Sequence, residues 1–105
     1  MLSSRVDGVA RNLGYSVGTF ADATAALAAV DQDDCRLAFV DLQLPGLDIA
    51  AFVQSVRQIK AAEVTIIACG PHVHEQRLRQ AQEAGCDRVV TRGQFDRDAQ
   101  AILQT

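Results

Sequence analysis

"LAFVDLQLPGLD", Leu37 to Asp48, decides how this chain is read. Leu37 to Val40 is an apolar, β-prone run too short for a helix, and it ends on Asp41. Leu44-Pro45-Gly46 then turns the chain. Asp48 stands where its side chain can cap a helix beginning at Ile49. A short strand, a turn and a helix make one unit of an open α/β sheet. Such sheets place their chemistry at the carboxyl ends of the strands, which makes Asp41 the first functional candidate.

The same grammar runs outward in both directions. Leu2, Val6, Val9, Ala10 and Leu13 recur at helical spacing, and Gly14 is the stop. Tyr15–Phe20, "YSVGTF", reads as a short strand, and Asp22 caps an alanine-rich helix over Ala23–Val30. The helix Ile49–Ile59 carries an apolar stripe of Ile49, Phe52, Val53 and Val56. Val64–Cys69, "VTIIAC", is apolar on both faces, as a strand covered by helices on both sides must be. A helix from about His74 to Ala84 stops at Gly85, Asp87–Thr91 is a strand, and Phe95–Leu103 is the last helix. Four strands alternating with five helices predict a parallel, doubly wound sheet. One feature departs from that pattern: the chain opens on a helix, where folds of this kind open on a strand.

Composition narrows the function. The 105 residues make one domain, and with 5% aromatics and no Trp the core must rest on Ala, Val, Leu and Ile. The net charge of −3 offers no basic face to a phosphate backbone, so nucleic acid is excluded as a partner. Cys35, Cys69 and Cys86 are an odd count without CxxC spacing, indicating neither a disulfide framework nor a zinc site. No stretch has the length of a membrane span, and the amino terminus lacks the apolar run of a signal peptide. A cytoplasmic protein with free thiols, not bound to a membrane, is the expectation.

Three stretches carry a family resemblance: "FVDLQLPGLD", "VTIIACGPHV" and "AQEAGCDRVVTRGQF". In this order they resemble the receiver domains of two-component response regulators, whose flavodoxin-like sheet has the strand order 2-1-3-4-5. The resemblance implies that Asp41 is the phospho-acceptor candidate. It also implies a magnesium ion held by that aspartate and an acidic pair after the first strand. A threonine or serine at the end of the fourth strand and a lysine at the end of the fifth would complete the site. Here the hydroxyl position falls at Cys69 or Gly70, Arg92 stands in the lysine's place, and Gly93 replaces the following proline. Arg92 keeps the charge but differs in reach and geometry. The chain begins inside what resembles the receiver's first helix, so the first strand and its acidic pair are missing. No cofactor is expected, and Mg2+ only if an acidic pair lies upstream.

The pattern is that of a degenerate pseudo-receiver, amino-terminally incomplete over residues 1–105, acting by protein–protein contact and not as an enzyme. By analogy with receivers the contact face is His74 to Leu103, and the partner is a signalling protein such as a histidine kinase. Two alternatives stand beside it: a phosphorelay receiver that accepts a phosphoryl group on Asp41, and a small-ligand binder at the carboxyl ends of the strands.

Each candidate has a plainer reading. Asp41 can cap a turn or pair with Arg92. His72 and His74 can be solvated polar residues instead of metal ligands, although His72 lies over the expected site mouth and could read a partner or a pH change. Cys69 can be a redox-sensitive thiol or a small core residue. Glu75, Arg77, Arg79 and Glu83 read as a wet helix face. The missing strand allows three outcomes. Tyr15–Phe20 could close the gap and pair with Leu37–Val40, two chains could complement each other through the exposed edge as a homodimer, or the natural protein is longer and Met1 is an internal methionine.

Overall fold

Among the described residues three strands form where four were expected. The computed structural model describes residues 2–32, 34–60 and 63–105. In it β1 is Leu37–Asp41, β2 is Thr65–Gly70 and β3 is Arg88–Thr91. They make one parallel sheet in the order β1-β2-β3, with Asp41 opposite Cys69 and Gly70 opposite Thr91 at the carboxyl ends. The helices are α1 (Leu2–Asn12), α2 (Ala23–Gln32), α3 (Ile49–Lys60), α4 (Glu75–Glu83) and α5 (Arg92–Leu103). None of the described helices is long and apolar enough to cross a membrane.

The two-sided apolarity of β2 does what the sequence implied. Ile66 and Ala68 point to one face, where they join Val30, Val40, Phe52, Val53, Val56 and Ala81 beneath α2, α3 and α4. Ile67 and Cys69 point to the other, with Leu2, Ala10, Val90, Phe95, Ala99, Ile102 and Leu103 of α1, β3 and α5. Period-two alternation in a strand sorts its side chains in this way, and each face then buries its own helices. The amino-terminal end of the sheet is tied by Asp87. Its carboxylate accepts from Arg57 Nη2 and from the Ile66 N–H, both at 2.7 Å, while Arg57 Nη1 donates to the Val64 carbonyl at 2.6 Å.

The helix ends follow their signals. Asp22 Oδ1 accepts from the Thr24 N–H at 2.7 Å, and Asp48 Oδ1 from the Ala51 N–H at 3.1 Å. Gly14 and Gly85 take φ of 87° and 98°, the left-handed conformation that lets a helix stop. The last helix begins at Arg92, earlier than the expected Phe95. A capping box between Thr91 and Gln94 starts it there.

Tyr15–Phe20 corrects the expected strand count. This segment joins no ladder, and the gap-closing pairing with β1 does not occur. It is held instead by side chains: Tyr15 Oη donates to the Leu103 carbonyl at 3.0 Å, and Arg11 Nη2 to the Val17 carbonyl at 3.4 Å. A β-prone run is a strand only beside a hydrogen-bonding neighbour, and the neighbour expected between this run and β1 is not among the described residues. Among the described residues no strand pairs with the other edge of β1. Arg36 and Leu42 bond toward β2, through Thr65 N–H to Arg36 O at 3.0 Å and Leu42 N–H to Cys69 O at 2.9 Å. By parallel-sheet alternation the backbone groups of Leu37, Phe39 and Asp41 face away from β2.

Candidate functional site

The carboxyl ends of β1, β2 and β3 bring together Asp41, Cys69, Gly70 and Arg92, the residues singled out in the sequence. Asp41 is half-buried, and its Oδ1 accepts from the Gln43 N–H at 2.9 Å. Its carbonyl accepts from the Leu44 N–H at 3.1 Å, so Asp41 shapes the turn that follows it. The alternative pairing with Arg92 is not the one adopted. Arg92 opens α5 and directs Nε to Asp96 Oδ1, one helical turn on, at 3.5 Å. Arg5 of α1 donates to the Asp96 carbonyl at 3.0 Å, which fixes that turn of α5 from the other side. Among the described residues no ion pair joins Asp41 to a cation.

Cys69 lies at the centre of this charge pattern and is fully buried. Burial, and then the negative charge of Asp41, push its thiol up to about 11; Arg92 opposes the shift and Asp96 adds to it. A thiol held this far above neutral pH carries almost no thiolate, the reactive form. Cys69 is thus a core residue with an acidic neighbour. In native protein treated with iodoacetamide at pH 7.5, peptide mass spectrometry is expected to find Cys69 unmodified; full labelling within minutes would contradict this.

Gly70, opposite Thr91 at the end of β2, has no side chain, so the end of β2 offers a buried thiol at Cys69 and no hydroxyl. His72 is exposed in the turn after β2. His74 supplies the N-cap position of α4 without a side-chain capping bond, and its Nδ1 is buried without a hydrogen-bond partner. Among the described residues no group of three His, Cys, Asp or Glu side chains is placed to hold a metal. Magnesium takes oxygen ligands in octahedral geometry, and one carboxylate beside a buried thiol does not supply that set. The site residues present do not fit the ion.

Two participants were missed in the sequence. Asp96 takes Arg92, and the i,i+4 spacing of the two was a usable signal. Arg77 is not part of a merely wet helix face: its Nη1 donates to the Leu42 carbonyl at 3.2 Å. No local pattern announces that bond, since the partners lie 35 residues apart.

The fold is shared with solved receiver structures. The receiver domain of a Pseudomonas aeruginosa sensor histidine kinase, solved with magnesium in its active-site cleft, matches with a TM-score of 0.81 and 23% identity, over 97% of this chain and 84% of that one. The NtrX receiver of Brucella abortus matches at 0.77 and 24%, over 99% and 91%. A streptococcal redox sensor evolved from response regulators matches at 0.81 and 15%, over 98% of this chain and 44% of that one. No curated protein matches the sequence. The model of the response regulator receiver domain spans residues 2–103, every element described above, and the chain belongs to that family.

Proposed function

We propose that the chain is a degenerate receiver, one that serves two-component signalling by binding a partner protein and does not take up a phosphoryl group by itself. The observation that carries this reading is the disposition around Asp41. Arg92 is turned to Asp96, neither Cys69 nor Gly70 at the end of β2 carries a hydroxyl, and among the described residues no group of three His, Cys, Asp or Glu side chains is placed to hold a metal. Phosphoryl transfer to a carboxylate depends on positioned cations, because there is little else for the protein to contribute. In this reading the receiver's first strand has no counterpart among the described residues, which fits a sheet in which β1 pairs only with β2.

The partner face in this reading is α4, β3 and α5. A groove of about 450 Å³ runs between α4 and β3, lined by Glu75, Leu78, Arg79, Gln82, Val89 and Thr91. Its mixed apolar and charged lining suits a protein segment, and a signalling protein of the histidine-kinase kind is the proposed occupant.

The test is direct. Incubation with magnesium and either acetyl phosphate or beryllofluoride is expected to leave the mass and the amide spectrum unchanged. An added phosphoryl mass, or spectral changes that Asp41→Asn abolishes, would overturn the proposal in favour of an active phospho-acceptor.

A further inference from the structure

The peptide group between Leu42 and Gln43 is gripped at both ends. Its N–H donates to Asp41 Oδ1 at 2.9 Å, and its C=O accepts from Arg77 Nη1 at 3.2 Å. The peptide is trans, so these two poles point in opposite directions. One peptide dipole therefore lies between a carboxylate and a guanidinium, with the N–H toward the anion and the C=O toward the cation. In this orientation each hydrogen bond polarises the group and strengthens the other.

Leu42 is also a packing junction. Its N–H donates to the Cys69 carbonyl at 2.9 Å, and its side chain is buried. A Cβ placed on Gly70 would lie 3.4 Å from Leu42 Cβ and 3.6 Å from Leu78 Cδ2, so Leu42, the end of β2 and α4 meet at that point. Gly70 has no side chain through which the end of β2 could pass a signal. The hydrogen-bonded route from Asp41 to α4 runs through the Leu42–Gln43 peptide and the Arg77 side chain.

We infer that the Leu42–Gln43 peptide is the connector between the charge on Asp41 and the placement of α4, with Arg77 as its positioning residue. Neutralising Asp41, or occupying its Oδ1, weakens the Gln43 N–H bond, lowers the acceptor strength of the Leu42 carbonyl and loosens Arg77. The coupling is reciprocal: whatever draws Arg77 away changes how firmly Asp41 holds its turn. This deepens the docking reading, because α4 is one wall of the groove, yet the connector requires no partner and is tested on the chain alone.

Amide ¹H–¹⁵N spectra of the native chain, Asp41→Asn, Arg77→Gln and the double variant decide it. Asp41→Asn is expected to move the Gln43 amide proton upfield and to displace the amides of Glu75 to Gln82. In the Arg77→Gln background the displacements along α4 should fall by about half or more, the non-additivity of a coupled pair. Arg77→Met, which keeps the aliphatic stem, should act like Arg77→Gln. Should Asp41→Asn fail to fold, Arg77→Gln alone must still shift the Gln43 amide of an otherwise unaltered chain. An unmoved Gln43 amide, or α4 displacements that are the same with and without Arg77, overturns the connector. Loss of the connector in a chain that still binds a partner leaves the docking reading standing. A working connector in a chain that binds none removes only the docking reading.

Discussion

Phe95→Ala is expected to lower the unfolding free energy by about 3–5 kcal/mol, the range for truncating a buried phenylalanine. A domain of this size has only about 5–15 kcal/mol in total, so the variant should sit close to unfolding at 37 °C. The physical case is burial. Phe95 is 0% exposed, and its ring centroid lies 5.0 Å from that of Phe39 in a tilted pair. Around it are Ile67, Cys69, Val90 and Ile102, which lose their packing partner together. Urea titration followed by circular dichroism measures the loss. Phe95→Leu, closer in volume, should cost clearly less. A loss under about 1 kcal/mol for the alanine variant would mean that this face of the core collapses around the gap.

The second large effect is at the opposite end of the sheet. Burial tends to raise the pKa of Asp87, but the Ile66 N–H and the Arg57 guanidinium outweigh it and hold the carboxyl below its ordinary value of 3.8. The charged form is the bonded one, so its contribution is complete above the ordinary carboxylate range. That contribution is lost as pH falls through the depressed folded-state value. Asp87→Asn should cost about 1.5–3 kcal/mol at pH 7, as expected for charge-assisted hydrogen bonds. The lower half of that range applies because the carboxylate is 44% exposed. The gap between native and variant should shrink steadily when the urea titration is repeated from pH 7 down to pH 3. A pH-independent gap would assign the effect to packing of the side chain and not to its charge.

Much of this molecule was readable from residue patterns. The stretch that opened the reading is a strand ending on Asp41, with Asp48 capping the helix after it. The two-faced run at Val64–Cys69 is the central strand of the three-stranded sheet. What could not be read were relations between distant segments. Tyr15–Phe20 has a strand's composition, but being a strand requires a neighbour, and composition does not say whether the neighbour is there. Arg57 with Asp87 and Arg77 with Leu42 are contacts made by long, flexible side chains across 30 and 35 residues. Any exposed-looking arginine could have made them. The early start of α5 is different, because Thr91-Arg92-Gly93-Gln94 carries the capping-box spacing and could have been recognised.

Both strand pairs among the described residues run parallel, and this has a kinetic meaning. No two neighbouring strands can meet as a hairpin, so Leu37 finds Thr65 only after the intervening chain, with α3 inside it, has been gathered in. The closure entropy of that long loop is lost before any ladder bond compensates, which makes the crossover helices and not the strands the natural first structure to form. α3 then brings Arg57 to a partner 30 residues away on the segment leading into β3. If the clamp at Asp87 closes only once β2 and β3 are in register, its loss should speed unfolding more than it slows folding.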